Sequence, residues 1–233
     1  PSPRAIEAIR NFSAEKLRFY PDANAAPLKK ALADYYNVEA ENIFLGNGSD
    51  DVIALCFQTF FCSDKPIAFP DITYSFYPVW CRLFNIPYIT YPLDENFRIN
   101  PESYKEQNGG VILPNPNAPI SIGEGLDFVR KLLEYNKDCI VIIDEAYVDF
   151  GGESALELTK KYDNLIVVRT FSKSRSMAGL RIGYAIAAKE LIRAIEDVKN
   201  SINSYTMNFP SIEVGKASLA EEEYFKTTIS KTT

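Results

Sequence analysis

A lysine and an arginine in one glycine-containing segment are the residues of this sequence best suited to chemistry. Lys173 follows the apolar run 165–168, and Arg181 lies between Gly179 and Gly183. A lysine just past a buried strand is held rigidly, and partial burial of its amine lowers its pKa and makes it nucleophilic toward a carbonyl. Glycines let the backbone approach a ligand while the guanidinium binds a phosphate. The pair predicts an aldehyde cofactor that carries a phosphate; a surface loop with a solvated lysine is the alternative.

A second candidate is Asp144, which follows the apolar run 139–143 in the sequence DEAYVDF. A carboxylate at the end of a buried strand requires a positive partner. If the cofactor is a pyridine aldehyde, that partner is its ring nitrogen, kept protonated so that the ring withdraws electrons from a substrate carbanion. Tyr147 is then placed to reach the phenolic oxygen of the ring. Two alternatives stay open: Asp144 caps the following segment, or the run is the Walker B strand of a nucleotide hydrolase, although the sequence has no GxxxxGK[ST] motif.

A third candidate is the glycine turn at residues 46–48, after which Ser49 is predicted as the N-cap of a helix over residues 50–61. The start of a helix offers free N–H groups and the positive end of the helix dipole to an anion. In the alternative interpretation this is only a capped helix, whose dipole is already satisfied by the first-turn acids Asp50 and Asp51.

The elements that must position these residues alternate along the chain. Helical patterns separate apolar runs at residues 43–45, 66–69, 88–91, 111–113, 139–143, 165–168 and 184–187. This alternation predicts an α/β fold, with a mostly parallel sheet of about seven strands between helices on both faces. Ligands of open sheets bind beyond the carboxyl ends of the strands, where Tyr74 and Asn117 also lie. Ring packing for Tyr74 and an Asx-turn for Asn117 are the alternatives to ligand contacts.

The composition excludes several classes of function. The sequence has no histidine, so Ser-His-Asp and Cys-His catalysis and most zinc chemistry are removed, and a proton must be moved by a lysine, tyrosine or carboxylate. The net charge of -6 leaves no basic face for nucleic acid. No apolar run approaches the roughly 20 residues of a membrane span, and no signal peptide opens the sequence. We therefore expect a cytoplasmic protein with neither a nucleic-acid nor a membrane partner.

Several motifs occur in one order: RFYPD, GNGSDD, TYSFY, PNPNAP, DEAY and TFSK followed by AGLRIGY. In this order and spacing the sequence resembles the histidinol-phosphate aminotransferase family, within the fold-type I pyridoxal-phosphate aminotransferases, over essentially its whole length. The resemblance implies pyridoxal 5'-phosphate as the cofactor. It implies that Lys173 binds the cofactor covalently and moves a proton between the substrate α-carbon and the cofactor. It also implies Asp144 as the partner of the pyridinium and Tyr147 as the donor to the ring oxygen.

The remaining cofactor contacts are implied by the same resemblance. Tyr74 is similar to the ring that stacks on the cofactor in that family. The backbone of Ser49 and Asp50 and the side chains of Ser172 and Arg181 are implied to hold the phosphate. The resemblance thus extends the candidate site from the nucleophile to both ends of the cofactor.

An activity and an assembly are also implied. Tyr20 matches a tyrosine that reaches across a dimer interface into the neighbouring active site, which implies a homodimer. The implied reaction is ping-pong amino transfer between histidinol phosphate, a small phosphorylated molecule, and 2-oxoglutarate. The alternatives are a decarboxylase of the same fold that acts on threonine phosphate, an aromatic aminotransferase, and a relative that binds the cofactor without turnover.

Two departures from the family pattern concern the site. The family commonly reads NNPTG where this sequence reads NAPIS, so we expect Asn117 to replace the asparagine that is absent at Ala118. The segment SRSM brings Arg175 near the candidate nucleophile. Arg175 is either a second phosphate ligand, for cofactor or substrate, or a solvated surface arginine.

A third departure concerns length, because members of the family are longer at both ends. We expect residues 1–18 to be an N-terminal segment that packs with a small domain, and residues 19–205 to be the cofactor-binding large domain. Residues 206–233 are expected to be the start of a truncated small domain. The arginine that binds the substrate carboxylate is expected in the part of the family's length that this chain lacks.

Overall fold

The structure is a computed structural model that describes residues 1–106 and 108–232. Its strands are β1 (Ile43–Gly46), β2 (Ile67–Pro70), β3 (Tyr88–Tyr91), β4 (Gly110–Pro114), β5 (Val141–Asp144), β6 (Leu165–Thr170) and β7 (Gly183–Ala187). They form one seven-stranded sheet in the order β1-β7-β6-β5-β4-β2-β3. β7 runs antiparallel to both of its neighbours, and the other strands all run in one direction. The predicted mostly parallel sheet is confirmed.

Helices connect the strands. They are α1 (Pro3–Arg10), α2 (Ala26–Tyr36), α3 (Ser49–Cys56), α4 (Tyr77–Leu83), α5 (Leu126–Tyr135), α6 (Lys189–Ile202), α7 (Phe209–Leu219) and α8 (Glu222–Ile229). Short 3-10 segments lie at Ala14–Arg18, Ala40–Asn42, Pro101–Tyr104, Val148–Phe150, Leu156–Lys160 and Ala178–Leu180. No helix of the two described ranges is both long enough and apolar enough to cross a bilayer.

Successive residues of the central strands face opposite layers of the molecule. On β5, Ile142 packs into a core with α3, α4 and α6, whereas Val141 and Ile143 pack into a core with α5. On β1, Ile43 and Leu45 face a further core that α1, α2 and α7 cover. Because both faces of the sheet are covered, these strands are apolar at every position rather than at every second one. The predicted helices on both faces are confirmed.

The helix predicted over residues 50–61 begins and ends differently. Ser49 is the first residue of α3 and not its N-cap; the N-cap is Gly48, whose φ of 92° lies in the left-handed region. A Cβ on Gly48 would lie 2.8 Å from Cζ of Arg181, so only glycine allows both this backbone and the approach of the arginine. After Cys56 the chain continues as a π-helical turn, Phe57–Phe61.

The N-terminal segment contacts the last helices of the chain. Helix α1 lies against α7, and Lys16 forms an ion pair with Glu213. The backbone N–H of Arg4 donates to the carboxylate of Glu221 at 2.8 Å. The segment therefore packs onto residues that follow the expected large domain, and the division at residues 18 and 205 stays a prediction.

Candidate active site

A cavity of about 170 Å³ opens where the parallel strands end, which we call the carboxyl edge. Predicted site residues that line it are Ser49, Asp50, Tyr74, Asp144, Tyr147, Ser172, Lys173 and Arg181. They follow β1, β2, β5 and β6, except for Arg181, which precedes β7; because β7 is antiparallel, its start lies at the same edge. Asn117 and Tyr20 do not line this cavity. The position of the cavity is the one expected for a ligand of an open sheet.

Asp144 is a buried carboxylate, 5% exposed, at the end of β5. Its Oδ2 accepts a hydrogen bond from the hydroxyl of Tyr77 at 3.0 Å, and its Oδ1 accepts one from the N–H of Ala146 at 3.1 Å. Burial raises the pKa of Asp144 to about 6, although the two hydrogen bonds and the charge of Lys173 oppose the rise. A cation bound in the cavity would therefore stabilise the ionised form of this carboxylate.

Lys173 lies in the loop after β6, on the wall of the same cavity. Its Nζ is 5.1 Å from the centroid of the Tyr147 ring, a cation–π distance. Lys173 and Asp144 line the same cavity, and the charge of Lys173 lowers the pKa of Asp144. The Lys173 residue is exposed on this wall, and the expected partial burial of its amine stays a prediction.

Arg181 and the first turn of α3 form one side of the cavity. The guanidinium Nη2 lies 3.5 Å from Oδ2 of Asp50. A Cβ on Gly183 would collide with the peptide between Gly48 and Ser49, so glycine is required where β7 approaches the helix. The first N–H groups of a helix have no partner inside the helix, and with a guanidinium beside them they attract an anion. This side of the cavity can hold a phosphate group.

Hydrogen bonds orient two further groups of the cavity. The hydroxyl of Tyr74 donates to Oδ1 of Asp50 at 2.9 Å, which fixes the ring on the cavity wall. Burial and this hydrogen bond raise the pKa of Tyr74, so it remains a neutral phenol. The N–H of Ser172 donates to Oγ1 of Thr170 at 3.1 Å, and the two hydroxyl oxygens are 3.0 Å apart. An aromatic face and a hydroxyl are thus presented to a ligand.

Two residues are predicted to contact a ring oxygen, and only Tyr147 lines the cavity, whereas Asn117 does not. Tyr147 lines the cavity and is 38% exposed, so a ligand can reach it. Asn117 is buried, and its Nδ2 donates to the carbonyl of Ile72 at 3.0 Å, while its backbone pairs with Ile122. Ala118 lines the cavity at this point. The side chain of Asn117 therefore turns away from the cavity, and its expected role in place of Ala118 stays a prediction.

The family model described as aminotransferase class I and II matches residues 1–228 of the chain. The chain belongs to this family. The histidinol-phosphate aminotransferase of Pseudomonas syringae pv. syringae is 51% identical over 231 residues, which are 99% of this chain and 66% of that protein. That of Clostridium acetobutylicum is 50% identical over 226 residues, 97% of this chain and 64% of that protein. The chain thus spans just under two thirds of the length of these relatives.

Solved structures of aminotransferases share the fold. The histidinol-phosphate aminotransferase of Sinorhizobium meliloti, in complex with pyridoxal 5'-phosphate, superposes with a TM-score of 0.86 at 25% identity, over 99% of this chain and 64% of that one. The L-threonine-O-3-phosphate decarboxylase of Porphyromonas gingivalis superposes with a TM-score of 0.82 at 24% identity, over 99% of this chain and 72% of that one. The second likeness shows the fold alone.

Class I and II aminotransferases depend on pyridoxal 5'-phosphate, and the cavity fits this cofactor. The amine of Lys173 suits its carbonyl, and the buried carboxylate of Asp144 suits a protonated ring nitrogen. Arg181 and the start of α3 suit a phosphate. A ligand that presents a cation at one end and an anion at the other meets the needs of both sides of the cavity.

Two residues that the sequence analysis placed near the site lie outside the cavity. Tyr20 is 79% exposed, and its ring centroid is 4.6 Å from that of Tyr205. The interpretation of Arg175 as a solvated surface arginine is wrong, because this side chain is only 7% exposed, and Arg175 does not line the cavity as a phosphate ligand there would. Its guanidinium lies 4.1 Å from the centroid of the Phe225 ring and donates to the carbonyl of Ser218 at 3.1 Å. Arg175 is held by helix α8 and the end of α7, and it does not reach a phosphate in the cavity.

A buried ionic cluster behind the cavity was missed by the reasoning from sequence. Arg169 on β6 forms ion pairs with Glu145, at 3.6 Å, and with Asp149. The hydroxyl of Ser174 donates to Asp149 at 2.5 Å. The cluster therefore ties the loop after β5 to the loop after β6. The signal was a single arginine inside the apolar run LIVVRT, because a charge in a buried strand requires a buried partner.

Proposed function

We propose that the protein is a pyridoxal-phosphate-dependent aminotransferase that exchanges an amino group between histidinol phosphate and 2-oxoglutarate. The observation that supports it is one cavity lined by Lys173 and Asp144, with Arg181 and the start of α3 on a further side. Relatives that are 48% to 51% identical carry the name histidinol-phosphate aminotransferase, which supports the substrate. A place in histidine biosynthesis and a cytoplasmic location belong to the same proposal.

The chain's own groups divide the chemistry between them. When bound, the cofactor supplies a carbonyl and a protonated ring that withdraws electrons from the substrate α-carbon. The buried carboxylate of Asp144 holds the proton on the ring nitrogen. The Nζ of Lys173 would hold the cofactor at its carbonyl, and as a free amine it would take the proton from the substrate α-carbon and deliver it to the cofactor carbon.

Other residues bind and orient the cofactor. The guanidinium of Arg181, the N–H groups of Ser49 and Asp50 and the hydroxyl of Ser172 hold the phosphate. The ring of Tyr74, which Asp50 fixes through its hydroxyl, packs against the cofactor ring. The hydroxyl of Tyr147 donates to the ring oxygen. Because these groups come from separate loops on a rigid sheet, the bound ring keeps one orientation.

We further propose a homodimer in which Tyr20 enters the neighbouring active site. Tyr20 lies outside the cavity of its own chain, and its ring is exposed against Tyr205. A large exposed aromatic pair is typical of a surface that another protein covers. In this assembly Tyr20 would contact the phosphorylated substrate in the neighbouring subunit.

The test combines a spectrum with product analysis. The purified full chain, supplied with pyridoxal 5'-phosphate, should show a near-visible absorption band that shifts when histidinol phosphate is added. Glutamate should then form from 2-oxoglutarate in an amount equal to the keto product. Aromatic amino acids and threonine phosphate are assayed in parallel, with carbon dioxide measured as a second product.

Each other outcome would replace the proposal with a defined alternative. Release of carbon dioxide from threonine phosphate indicates a decarboxylase, and amino transfer from aromatic amino acids alone indicates a different aminotransferase. A band without turnover of any donor indicates a relative that only binds the cofactor. A colourless protein that binds ATP would indicate the hydrolase.

A further inference from the structure

The hydroxyl of Tyr77 is buried against the candidate acid of the cavity. Tyr77 opens helix α4 and is fully buried, and its hydroxyl donates to Oδ2 of Asp144 at 3.0 Å. The ring is enclosed by other rings, with centroid distances of 5.9 Å to Phe69, 5.7 Å to Tyr74 and 6.3 Å to Trp80. Close packing of this kind restrains the ring of Tyr77. The packing therefore holds the hydroxyl of Tyr77 next to the carboxylate of Asp144.

Two donors fix the plane of the Asp144 carboxylate. Tyr77 donates to Oδ2, and the N–H of Ala146 donates to Oδ1 at 3.1 Å. Because the two donors bind different oxygens, rotation of the carboxylate would break both hydrogen bonds. Each carboxylate oxygen can accept a second hydrogen bond, so the group keeps the capacity to accept one from a ligand in the cavity.

The charge of Asp144 depends on its hydrogen bonds. Burial favours the neutral acid, whereas donors favour the ionised form. The charged side chains that act on it are Lys173, which favours ionisation, and Asp50, which opposes it. Tyr77 itself stays a neutral donor, because burial and the charge of Asp144 raise its pKa far above the usual value. The hydroxyl of Tyr77 is thus a side-chain donor to Asp144 that is present whether or not a ligand is bound.

We infer that Tyr77 is a positioning residue that orients the carboxylate of Asp144 toward the cavity and keeps it ionised. The inference rests on the proposed function, because only a ligand with a protonated ring nitrogen requires an ionised acid at this point. A protonated Asp144 is neutral and would no longer compensate the positive charge of the ring nitrogen. Tyr77 therefore acts on the cofactor through Asp144 and does not touch it.

The chain offers a matched control for the loss of one buried hydroxyl. Tyr104 is 1% exposed and belongs to the core on the other face of the sheet. Its hydroxyl has no hydrogen-bond partner among the residues that the structure describes. Tyr77→Phe and Tyr104→Phe remove the same atom from the same kind of side chain, but only the first removes a donor to Asp144.

The first measurement uses the protein without cofactor. Carbon-13 NMR of the carboxyl groups follows the ionisation of Asp144, with the signal assigned by its loss in Asp144→Asn. In the wild type the pKa should be about 6, and in Tyr77→Phe it should be about one pH unit higher, because the ionised form loses a charge-assisted hydrogen bond. Tyr104→Phe should leave it unchanged. An Asp144 pKa that is equal in wild type and Tyr77→Phe would overturn the inference.

The second measurement is the affinity for pyridoxal 5'-phosphate as a function of pH. If only the ionised acid is competent, the apparent affinity falls in proportion to the ionised fraction. A rise of one unit from about 6 then weakens binding about threefold at pH 6.5 and about fivefold at pH 6, with little change at pH 8.5. Equal affinity of wild type and Tyr77→Phe at pH 6 would count against the inference.

The two measurements separate this inference from the proposed function. A protein that does not bind pyridoxal 5'-phosphate contradicts the function, while the carboxyl titration without cofactor still decides the role of Tyr77.

If Tyr77→Phe does not fold, the role of Tyr77 can be tested in the wild type. The carbon-13 NMR signal of the Tyr77 ring should then shift as the pH passes through the pKa of Asp144, and this shift should vanish in Asp144→Asn. A Tyr77 signal that does not respond to the ionisation of Asp144 would overturn the inference.

Discussion

Cavities open at both edges of the sheet, and their volumes do not distinguish the candidate site. A cavity of about 620 Å³ lies at the opposite edge, where β2, β4, β5 and β6 begin. It is lined by lysines, acids and amides, among them Lys137, Lys161, Asp163 and Asn164. The cavity at the carboxyl edge has about 170 Å³. A further cavity of about 650 Å³ shares Ala118 and Tyr147 with the candidate cavity, so volume alone does not identify the site.

Hydrogen bonding separates the two edges. At the opposite edge, Nδ2 of Asn108 donates to Oδ1 of Asn136 at 2.8 Å, and Asn164 donates to the carbonyls of Asn136 and Cys139 at 2.9 and 3.1 Å. These amides hold the loops that lead into the strands. At the carboxyl edge, Asp144 and the first turn of α3 keep hydrogen-bonding capacity directed at the cavity. Both cavities carry lysines and acids, so unused hydrogen-bonding capacity, rather than size or charge, distinguishes the candidate site.

The comparison predicts opposite results for two exposed lysines, one at each edge. Lys173→Ala removes the amine that binds the cofactor and moves the proton, so turnover should fall by about 10²- to 10⁴-fold or more, and the near-visible band should vanish. Lys161→Ala at the opposite edge should change turnover by less than about twofold, because it removes only a solvated side chain. Steady-state kinetics and absorption spectra check both.

Similar results for Lys173→Ala and Lys161→Ala would contradict the functional difference between the two edges. If Lys173→Ala keeps both its band and its turnover, another amine must bind the cofactor. If Lys161→Ala loses turnover while its circular dichroism is unchanged, the opposite edge contributes to the reaction.

A second prediction concerns the phosphate side of the carboxyl edge. Arg181→Gln removes a charge-assisted contact worth about 1.5 to 3 kcal/mol, so the affinity for pyridoxal 5'-phosphate should fall by about 10- to 100-fold. Arg193→Gln on the exposed face of α6 is the control and should bind as the wild type does. Titration followed by absorbance measures both affinities. Equal binding by Arg181→Gln and Arg193→Gln would remove Arg181 from the phosphate site.

Much of this site follows from the sequence because it depends on strand ends. Apolar runs mark the strands, parallel strands place their carboxyl ends at one edge, and the polar residues that follow them must meet there. Asp144, Lys173 and Tyr74 are predicted by this argument, and the family resemblance assigned roles to them. The antiparallel direction of β7 has no signal in the sequence, yet it is what brings Arg181 to the same edge.

The sequence did not predict the direction of several side chains in loops and helices. Arg175 follows the loop of the candidate nucleophile, but it turns into a cluster of rings because α8 packs there. Asn117 turns toward Ile72 and away from the cavity. Tyr77 lies among several aromatic residues, and nothing in their spacing distinguishes the ring whose hydroxyl meets Asp144. Such contacts depend on which elements become neighbours, which local patterns do not encode.

A further expected effect is on stability, through the buried acid next to Asp144. Glu145 is 2% exposed, and burial raises its pKa from 4.5 to about 7, against the opposing charge of Arg169. Between these two pH values the folded protein keeps the proton and the unfolded chain has lost it. The free energy of unfolding therefore falls as the pH rises from about 5 to 8. Below pH 4.5 both states are protonated, and the contribution of the neutral acid is fully present.

Glu145→Gln should remove this part of the pH dependence, because glutamine does not ionise. Relative to the wild type, the free energy of unfolding of the variant should rise by about 2 to 3 kcal/mol between pH 5 and pH 8, measured by urea denaturation at each pH. Asp163→Asn, an exposed acid at the opposite edge, is the control, and its difference from the wild type should change by less than about 0.5 kcal/mol over the same range. If Glu145→Gln instead follows the wild type in parallel, Glu145 is ionised throughout this range, and its ion pair with Arg169 outweighs the effect of burial.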